Sequence, residues 1–513
     1  MTSGILFANS VYDDGYDGYY YPTDLLYFHF LKTVSDYEID SVMNALGCEL
    51  VDSLYGDHFV RIARLSGDSP TDVVSAGNRA YETGLFSLAK ATFASNWETF
   101  DTPNDEFFIY QWYLKNDGSG GGTADADIDF DLSLDYYIPT TPFTVGIVDE
   151  GFEGHPDLPV GRIVGGWDYY HLDPDITPGQ YMAHGMSCAG ILTANTDNYN
   201  GVAGLTGYNV QIVGQKIFAD RCPDVGSCAA SNVMIALALD SCRIKGAKVV
   251  SNSWGRRDNY PPAPEIDEAI ARCDSAGVCM VFAAGNGSVS WVGHPACQPE
   301  AIAVGATNRS DQKWYYSQYG SEIDVVAPSG ACNLTGDIWT LDRVGTPGYN
   351  PAYITCDPQN IDYDCKFGGT SAACPQVAGI IARLMLRRPD LIGDTDRIRR
   401  IVRLSSERSQ YGVNDTVRVN NQVGWGRVNA DRALLAIVRG DCTNDGIIDI
   451  EDVIYLIEYI GAGGPAPLPR AAVGDANCRE SVDIDDVVYL IQYLYAGGPE
   501  PPDCFDYTNY DPD

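Results

Sequence analysis

The sequence has little positive charge. Its 513 residues include 33 Lys and Arg against 70 Asp and Glu, which gives a formal net charge of −37. Nucleic acids and anionic membranes repel such a surface, and this argues against both as partners. The composition instead fits a soluble protein that binds cations.

The sequence also lacks a long apolar run. No segment approaches the roughly 18 to 20 residues that a membrane-spanning helix needs. The first residues, MTSGILFANSVYDDGYDGYYY, have neither the basic start nor the long apolar stretch of a signal peptide. We therefore expect no membrane-embedded form, and a signal for export is either removed or not encoded in this stretch.

Cysteine is abundant, with 15 residues, which is high for a reducing compartment and predicts secretion. Because the number is odd, at least one thiol is free or pairs with another molecule. Cys188 and Cys374 lie in small apolar helical segments and are predicted to be buried free thiols. Disulfides are predicted for two close pairs in polar loops: Cys222 with Cys228, and Cys356 with Cys365.

The pattern changes along the chain, as expected at roughly 150 residues per domain. Residues 24 to 94 follow the order strand, helix, strand, strand, helix, strand, which predicts a small ferredoxin-like α+β unit. The tract from 116 to 131, NDGSGGGTADADIDFD, predicts a mobile surface connection.

From about 143 to 438, short apolar runs alternate with helical segments. The runs include FTVGIVD, VQIVGQKIF, AKVVSNSWG, GVCMVFAAGN and AIAVGAT. Continuous apolar strands between helices predict an α/β fold with a mostly parallel sheet and helices on both faces. Ligands in such folds bind at the carboxyl ends of the strands, and Asp149, Ser253 and Asn286 each end an apolar run.

The tail contains an internal repeat. DVIYLIEYIGAGGPAP begins at 452 and DVVYLIQYLYAGGPEP at 486, and the two agree at 11 of 16 positions. Each copy follows an acidic loop. The repeat therefore predicts a duplicated small module at the end of the chain.

Four stretches supply the groups that acyl transfer by serine requires, namely an orienting acid, a base, an oxyanion donor and a nucleophile. In chain order they are VGIVDEG with Asp149, AHGMSCAG with His184, AAGNGS with Asn286 and GGTSAACPQVAG with Ser371. Taken singly, each residue has a plainer interpretation. Asn286 could form a turn, and Ser371 could be a helix N-cap.

Taken together, these stretches resemble the motifs of the subtilisin-like serine proteases over residues 102 to about 438. The resemblance implies that Ser371 attacks a peptide carbonyl, His184 takes its proton and Asp149 holds the imidazole. Asn286 would stabilise the oxyanion with the Ser371 amide. Two segments would bind the polypeptide substrate: Ser253, Trp254 and Gly255, and Ala283, Ala284 and Gly285.

The sequence departs from the family motif beside the proposed base and acid. None of the changes removes a proton-transfer group, so we expect an effect on efficiency, through the packing or pKa of the His184 and Asp149 pair. The changed positions are Ala183, Met186 and Ser187 around His184, and Glu150, where Thr or Ser is usual.

The segment in front resembles the family's propeptide, which assists folding and inhibits the enzyme until it is cut. TPNDEFFIYQW, from 102 to 112, resembles the start of the mature enzyme in thermitase-like members. We therefore predict a propeptide in residues 1–101, a peptidase domain in 102–438 and a tail module in 439–513.

The same resemblance implies a calcium site built from oxygen ligands, which calcium prefers. TDNYNGVAG aligns with the family's calcium loop. The alternative is a plain acidic surface. The implied ligands are the side chains of Asp105, Asp157 and Asn198 and the carbonyls of Asn195, Asn200 and Val202.

The acidic loops of the tail resemble EF-hand loops. In the second loop Arg479 and Glu480 stand where an acid and a glycine are expected, so its affinity should be weaker. The predicted ligands of the first loop are Asp441, Thr443, Asp445, Ile447 through its carbonyl, Asp449 and Asp452. Those of the second are Asp475, Asn477, Asp483 and Asp486.

A loop followed by one helix, present twice, is similar to type I dockerin modules and implies a cohesin-like partner. The alternative, which we favour, is a calcium-stabilised appendage, because nothing else in the chain indicates a multi-enzyme scaffold. For the whole chain we predict a secreted, calcium-binding serine endopeptidase in a proform, with its own propeptide as inhibitor. The rival is a catalytically silent relative that binds peptides or partners through its tail.

Overall fold

The protein is described by a computed structural model. The described residues are 12–13, 19–30, 35–46, 48–52, 60–65, 86–94, 102–135, 138, 142–207, 210–220, 229–256, 263–331, 337–349, 361–407, 411, 419–435, 439–443, 448–462, 464–467, 471–477, 479, 481–499 and 501. The chain divides into two units, Met1–Thr99 and Phe100–Asp513.

The first unit contains one antiparallel sheet and one described helix. Its strands are β1 (Tyr12–Asp13), β2 (Tyr19–Phe30), β3 (Cys48–Asp52), β4 (Val60–Leu65) and β5 (Phe86–Ala94), and its helix is α1 (Asp36–Leu46). Strand β2 pairs with both β4 and β5, and β4 also pairs with β3. The order β5-β2-β4-β3 is that of the predicted ferredoxin-like unit. The second predicted helix, from about 69 to 82, lies outside the described residues.

The second unit is built on a parallel sheet, as predicted. Seven strands form it in the order β12-β11-β10-β9-β6-β8-β7. Every neighbouring pair is parallel. The strands are β6 (Phe143–Asp149), β7 (Trp167–Asp168), β8 (Val210–Lys216), β9 (Val249–Asn252), β10 (Cys279–Ala283), β11 (Ala301–Thr307) and β12 (Ile323–Pro328), and an antiparallel pair is formed by β13 (Ile338–Leu341) and β14 (Tyr363–Phe367).

Six of the described helices follow or lie between these strands, and two more form the tail. They are α2 (His184–Thr193), α3 (Asn232–Ile244), α4 (Pro264–Ser275), α5 (Thr370–Arg387), α6 (Thr395–Ser405), α7 (Ala430–Leu435), α8 (Ile450–Ala462) and α9 (Ile484–Ala496). Local signals mark several starts: Ser231 and Asp394 cap α3 and α6, and Pro264 opens α4. Among the described residues, no helix is long and apolar enough to cross a membrane.

Two apolar layers form the core around the parallel sheet of the second unit. One contains the wholly buried helix α5, together with Val145 and Ile147 of β6. The other contains the buried faces of α3 and α4, together with Val148 of the same strand. Because successive side chains of a strand point to opposite faces, β6 contributes to both layers. This arrangement confirms the prediction of helices on both faces of the sheet.

The tract from 116 to 131 corrects one prediction. Its three consecutive glycines at 120–122 are exposed, but Ala126, Ile128 and Phe130 are at most 1% exposed and belong to the interior. Ile128 accepts a hydrogen bond from the Ala430 backbone at 2.7 Å and donates one to Tyr113 at 3.1 Å. The sequence suggested a mobile connection because its Gly and Asp content hides three apolar residues at alternate positions, which read as a short buried segment.

The tail has a small hydrophobic core between α8 and α9, formed by Cys442, Val453, Leu456, Ala476, Val487 and Leu490. Ile448, in the loop before α8, packs against both this core and the core around the parallel sheet. The repeat found in the sequence therefore corresponds to two helices that pack on each other.

The cysteines divide into two groups. Cys188 and Cys374 are free and buried, as predicted, and five further free thiols are present among the described residues: Cys242, Cys273, Cys279, Cys297 and Cys442. Cys365 is disulfide-bonded. Its predicted partner Cys356 lies outside the described residues, as do Cys222 and Cys228, so both pairings stay predictions.

Candidate active site

The carboxyl ends of neighbouring parallel strands bring the candidate residues to one edge of the sheet. Asp149 is the last residue of β6, Ser253 directly follows β9, and Asn286 lies three residues beyond the end of β10. His184 is the first residue of α2, and Ser371 lies in the first turn of α5. The edge is the one that general rules for α/β sheets predict for ligand binding.

Asp149 and His184 form a hydrogen-bonded pair. The Asp149 Oδ1 atom lies 2.8 Å from His184 Nδ1, and the Asp149 side chain is 1% exposed. The backbone N–H of Glu150 donates to the same oxygen at 2.7 Å. Burial disfavours the charged imidazole, but the Asp149 carboxylate outweighs it and raises the pKa of His184 well above its usual value.

Ser371 is held by contacts with Ser253. Its hydroxyl donates to the Ser253 carbonyl at 3.2 Å, and the Ser253 hydroxyl donates to the Ser371 carbonyl at 2.9 Å. Gly369, the N-cap of α5 and two residues before Ser371, has a φ of 72°, a conformation that favours glycine, and the turn that it makes brings Ser371 into the first turn of α5. Among the described residues no hydrogen bond joins Ser371 to His184. Hydrogen bonds between nucleophile and base are often long or poorly aligned before substrate binds, so this does not exclude Ser371 as the nucleophile.

Asn286 is oriented by the residue next to Ser371. Its Oδ1 atom accepts hydrogen bonds from the Thr370 backbone N–H at 2.8 Å and from the Thr370 hydroxyl at 2.9 Å. The two donors fix the amide so that Nδ2 is its donor group. A Cβ atom at Gly369 would lie 2.9 Å from that Nδ2. The donor therefore faces the turn that carries Ser371, where an oxyanion would form.

Comparison with known proteins agrees with this geometry. Residues 141–426 match the model of the subtilase family. The chain belongs to the subtilase family. It is 33% identical over 241 residues to thermitase of Thermoactinomyces vulgaris, a match that covers 47% of this chain and 74% of thermitase. It is 31% identical over 354 residues to a calcium-dependent protease of Trichormus variabilis, which covers 64% of this chain and 51% of that protein.

The chain thus spans about half the length of some of the proteins that it matches. Two solved structures share the fold. The serine protease of Aeromonas sobria has a TM-score of 0.55 at 22% identity, over 64% of this chain and 66% of that one. Fervidolysin of Fervidobacterium pennivorans has a TM-score of 0.50 at 20% identity, over 83% of this chain and 62% of its own.

The two predicted substrate-binding segments of this subtilase lie on either side of one short segment. The Gly293 N–H donates to the Ala284 carbonyl at 3.1 Å, and the Arg256 N–H donates to the His294 carbonyl at 2.8 Å. The side chain of His294 makes a further contact, because its Nε2 atom lies 2.6 Å from Asp267 Oδ1. Residues 253–255 and 283–285 therefore lie beside the same short segment, in which Gly293 is the residue that bonds to Ala284.

Contacts that the sequence did not reveal support the site. Cys188 Sγ lies 3.8 Å from His184 Nδ1 and donates to the Ser371 carbonyl at 3.7 Å. The Phe367 ring packs edge-on against the imidazole, with centroids 5.3 Å apart. Cys188 stands one helical turn after His184, and this spacing was the only signal in the sequence that could have placed it there.

The departures around the base make defined contacts. The Met186 sulfur accepts a hydrogen bond from the Glu153 N–H at 3.3 Å. The Ser187 hydroxyl donates to the Leu341 carbonyl at 3.0 Å. Both residues are fully buried. Met186 connects α2 to the segment after β6, and Ser187 connects α2 to β13. The two residues that differ from the family motif are therefore buried and hydrogen-bonded.

The implied calcium ligands include two carboxylates, Asp157 and Asp105, which accept hydrogen bonds from the calcium loop. Asp157 Oδ1 accepts from Asn198 Nδ2 at 2.7 Å, and Asp157 Oδ2 accepts from the Val202 N–H at 3.0 Å. The Asp105 Oδ2 atom accepts from Asp197 N–H at 2.9 Å. The Asn195 side chain instead accepts from Arg162 at 2.7 Å, which fits a role through its carbonyl alone. Asn200 donates through its N–H to the Asn198 side chain at 2.9 Å.

The donors of this cluster fit a hard cation. Asp105 Oδ1 is buried without a hydrogen-bond partner among the described residues. Burial raises the pKa of Asp105 to about 6 and that of Asp157 to about 7. A neighbouring carboxylate raises each pKa further by repulsion, Asp197 acting on Asp105 and Asp105 on Asp157. A divalent cation among these oxygens would relieve both effects.

The two tail loops repeat one hydrogen-bond pattern. Asp452 accepts from the backbone N–H groups of Thr443 at 3.0 Å and Asp449 at 2.8 Å. Asp486 accepts in the same way from Asn477 at 3.0 Å and Asp483 at 2.9 Å. Positions 3, 9 and 12 of both loops are therefore brought together. Asp445 and Ile447 lie outside the described residues.

Position 1 is an aspartate in both loops. Asp441 and Asp475 are both buried, and Asp475 forms an ion pair with Arg439 at 3.1 Å. The Asn477 Oδ1 atom is buried without a partner among the described residues, which fits a cation ligand. A cation in the second loop would have to share Asp475 with Arg439, and this gives a reason for weaker binding besides Arg479 and Glu480.

Proposed function

We propose that this subtilase is a secreted serine endopeptidase that hydrolyses peptide bonds through an acyl-enzyme. The proposal rests on one observation above all. A buried carboxylate holds the imidazole of His184 at 2.8 Å, at the edge of the sheet where Ser371 opens a helix and the Asn286 amide faces the same turn.

In the proposed reaction, Ser371 Oγ attacks the carbonyl carbon and its proton passes to His184 Nε2. Asp149 binds Nδ1–H and so keeps Nε2 as the basic nitrogen. The oxygen of the tetrahedral intermediate receives hydrogen bonds from Asn286 Nδ2 and the Ser371 N–H. His184 then gives its proton to the leaving amine, and water repeats the sequence on the ester.

The first unit is proposed to act as the propeptide and inhibitor of this enzyme. Its strand order β5-β2-β4-β3 agrees with the predicted ferredoxin-like unit. The inhibitor would be removed by cleavage between about residues 95 and 103, so that the chain is a proform. In this proposal, residues 102–438 form the peptidase and residues 439–513 a calcium-binding tail.

Calcium is proposed as a structural ion. Asp105, Asp157 and Asn198, with the carbonyls of Asn195, Asn200 and Val202, would hold one ion. The tail loops would hold others through the predicted ligands from Asp441 to Asp452 and from Asp475 to Asp486. Bound calcium would supply positive charge to these oxygens and stabilise the folded state by mass action.

Labelling with a fluorophosphonate tests the catalytic proposal. The chain, with and without prior removal of residues before 103, should be labelled at Ser371 and should cleave casein once matured. Ser371→Ala should remove labelling and lower kcat by about 10⁶-fold. Ser275→Ala, at an exposed position near the end of α4, should behave as wild type. A mature chain that takes up no label would instead favour the silent, partner-binding relative.

A second proposal concerns the tail, because its two helices expose apolar side chains at equivalent positions. We propose that the exposed apolar face of either helix docks a cohesin-like module when calcium is bound. The exposed fractions are 44% for Ile450, 50% for Ile454 and 46% for Ile457 on α8, and 59% for Ile484, 45% for Val488 and 42% for Ile491 on α9.

A cohesin panel tests this docking. Binding should require calcium and should be lost in a variant that combines Ile454→Glu with Val488→Glu. The matched control is Glu458→Gln, an exposed residue of the same helix α8. If no cohesin binds in calcium, the tail is the calcium-stabilised appendage instead.

A further inference from the structure

The helix that carries His184 begins without a cap of its own. Its N-cap residue is Ala183, which has no side-chain acceptor, and the first turn contains no acidic residue. The first N–H groups of a helix have no partner within the helix and are usually satisfied by a Ser, Thr, Asp or Asn at the N-cap. The acceptor for α2 must therefore come from elsewhere in the chain.

Glu150 supplies that acceptor from the neighbouring strand end. Its Oε2 atom accepts a hydrogen bond from the His184 backbone N–H at 3.2 Å. Glu150 also donates its own backbone N–H to the catalytic carboxylate of Asp149, at 2.7 Å. One residue therefore contacts both members of the Asp–His pair, through its side chain on one side and its backbone on the other.

The two segments are in close contact around these bonds. A Cβ atom at Gly185 would lie 2.4 Å from the Gly151 carbonyl oxygen, so the first turn of α2 rests directly on the turn after Asp149. The Met186 sulfur adds a hydrogen bond from Glu153 at 3.3 Å. With this packing, the start of α2 has little room to move without breaking its contact with Glu150.

We infer that Glu150 is a positioning residue for the base: its carboxylate caps the helix of His184 and so sets the place of the imidazole between Asp149 and Ser371. It replaces the hydroxyl residue usual at this position and compensates for Ala183. The inference rests on the proposed function, since it concerns the efficiency of His184 as a base.

The charge of Glu150 also bears on the imidazole. Burial raises the pKa of Glu150, while the His184 ring opposes this effect. The other titratable groups that face the pair are Asp149 on β6, Cys188 one turn along α2, and Tyr349 on the segment 342–349. Removal of the carboxylate charge would leave the imidazolium less stabilised, so His184 would lose its proton at lower pH.

The rate of fluorophosphonate labelling, measured from pH 5 to 9 on the mature chain, tests this inference without needing a peptide substrate. Glu150→Ala removes the acceptor and should slow labelling about tenfold at its plateau, because a less well positioned base raises the barrier of the reaction. Glu150→Gln keeps an oxygen acceptor and should restore the plateau to within about twofold. In both variants the acid limb should move to lower pH.

Glu268→Gln is the charge-matched control, because Glu268 is 75% exposed on α4. Glu150→Leu, similar in volume to Glu and without an acceptor, replaces the Ala variant if that one does not fold. A plateau unchanged in the Ala or Leu variant would overturn the inference. So would a Gln variant as slow as the Ala variant, or an acid limb that stays in place. A wild-type chain that is not labelled at all would count against the proposed function instead.

Discussion

The carboxylates of Asp149 and Asp157 are both buried, at 1% and 0% exposure, yet their charges are compensated in different ways. Asp149 binds the imidazole of His184, a group of the same chain that can carry a positive charge. Asp157 binds the Asn198 amide and the Val202 N–H, which are neutral donors, and Asp105 repels it from nearby.

The two sites differ in the source of the positive charge that offsets the buried carboxylate. The chain itself provides a partner for Asp149, and a dissolved cation would provide one for Asp157. A buried carboxylate is stable when a cation and hydrogen bonds offset the loss of water. His184 can supply that cation at one oxygen of Asp149, whereas Asp149 Oδ2 is buried without a hydrogen-bond partner among the described residues. Because the partner belongs to the chain itself, we expect the geometry of this pair not to depend on calcium. The Asp157 site lacks a comparable cation, although Arg162 helps, and should depend on calcium.

The largest expected effect comes from breaking the internal pair. Asp149→Asn should lower kcat by about 10⁴-fold, because the amide no longer holds His184 in the tautomer that accepts the Ser371 proton. The melting temperature should change little, and added calcium should not restore the rate. A rate that recovers in calcium would contradict the separation of the two sites.

Removal of calcium is expected to have the next largest effect, and on stability. An ion present at about 1,000 times its Kd stabilises the folded state by about 4 kcal/mol, so dialysis against a chelator should lower the melting temperature by roughly 10 °C. Melting curves with and without calcium measure this.

Asp157→Asn serves as the control for that measurement, because it keeps the size of the side chain and removes its charge. It should reduce the response to calcium to the part due to the tail loops. A melting temperature that is the same in excess chelator would rule out these sites as stabilising elements.

The smallest expected effect is on the pH profile. His184 must be neutral to act as a base, and Asp149 raises its pKa above the usual 6.5 despite burial. The value of kcat/KM should therefore fall as the pH drops, with a midpoint above 6.5. Profiles measured with and without calcium should share this midpoint, and a midpoint that follows calcium would link the two sites after all.

Much of the fold could be predicted because its signals are local. The apolar runs ending at Asp149 and Asn252 and the helix after Gly369 follow directly from sequence pattern. Asp149 could be placed at the candidate site because parallel strands end at one edge, whereas His184 and Ser371, which lie at helix starts, were assigned through the resemblance of their motifs to the family. The positions of Asp149, His184 and Ser371 thus follow from topology and motif together.

The supporting contacts could not be predicted in the same way. Thr370 orients Asn286 across 84 positions of sequence, and Cys188 reaches the Ser371 carbonyl across 183. Such contacts depend on side-chain packing between distant segments, which periodicity does not encode. The buried residues Ile128 and Phe130 were missed for a related reason, since their neighbours have the composition of a linker.

Ile448 lies in a calcium-type loop of the tail, yet its side chain packs against the core of the peptidase as well as that of the tail. Ile448 therefore forms an apolar contact that the core around the parallel sheet and the core of the tail share. A chain shortened to residue 438 would expose the apolar surface on which Ile448 packs, and we expect it to aggregate more readily than the longer chain. We therefore expect residue 438, the boundary predicted from the sequence, to be a poor end point for producing the preceding region alone in soluble form.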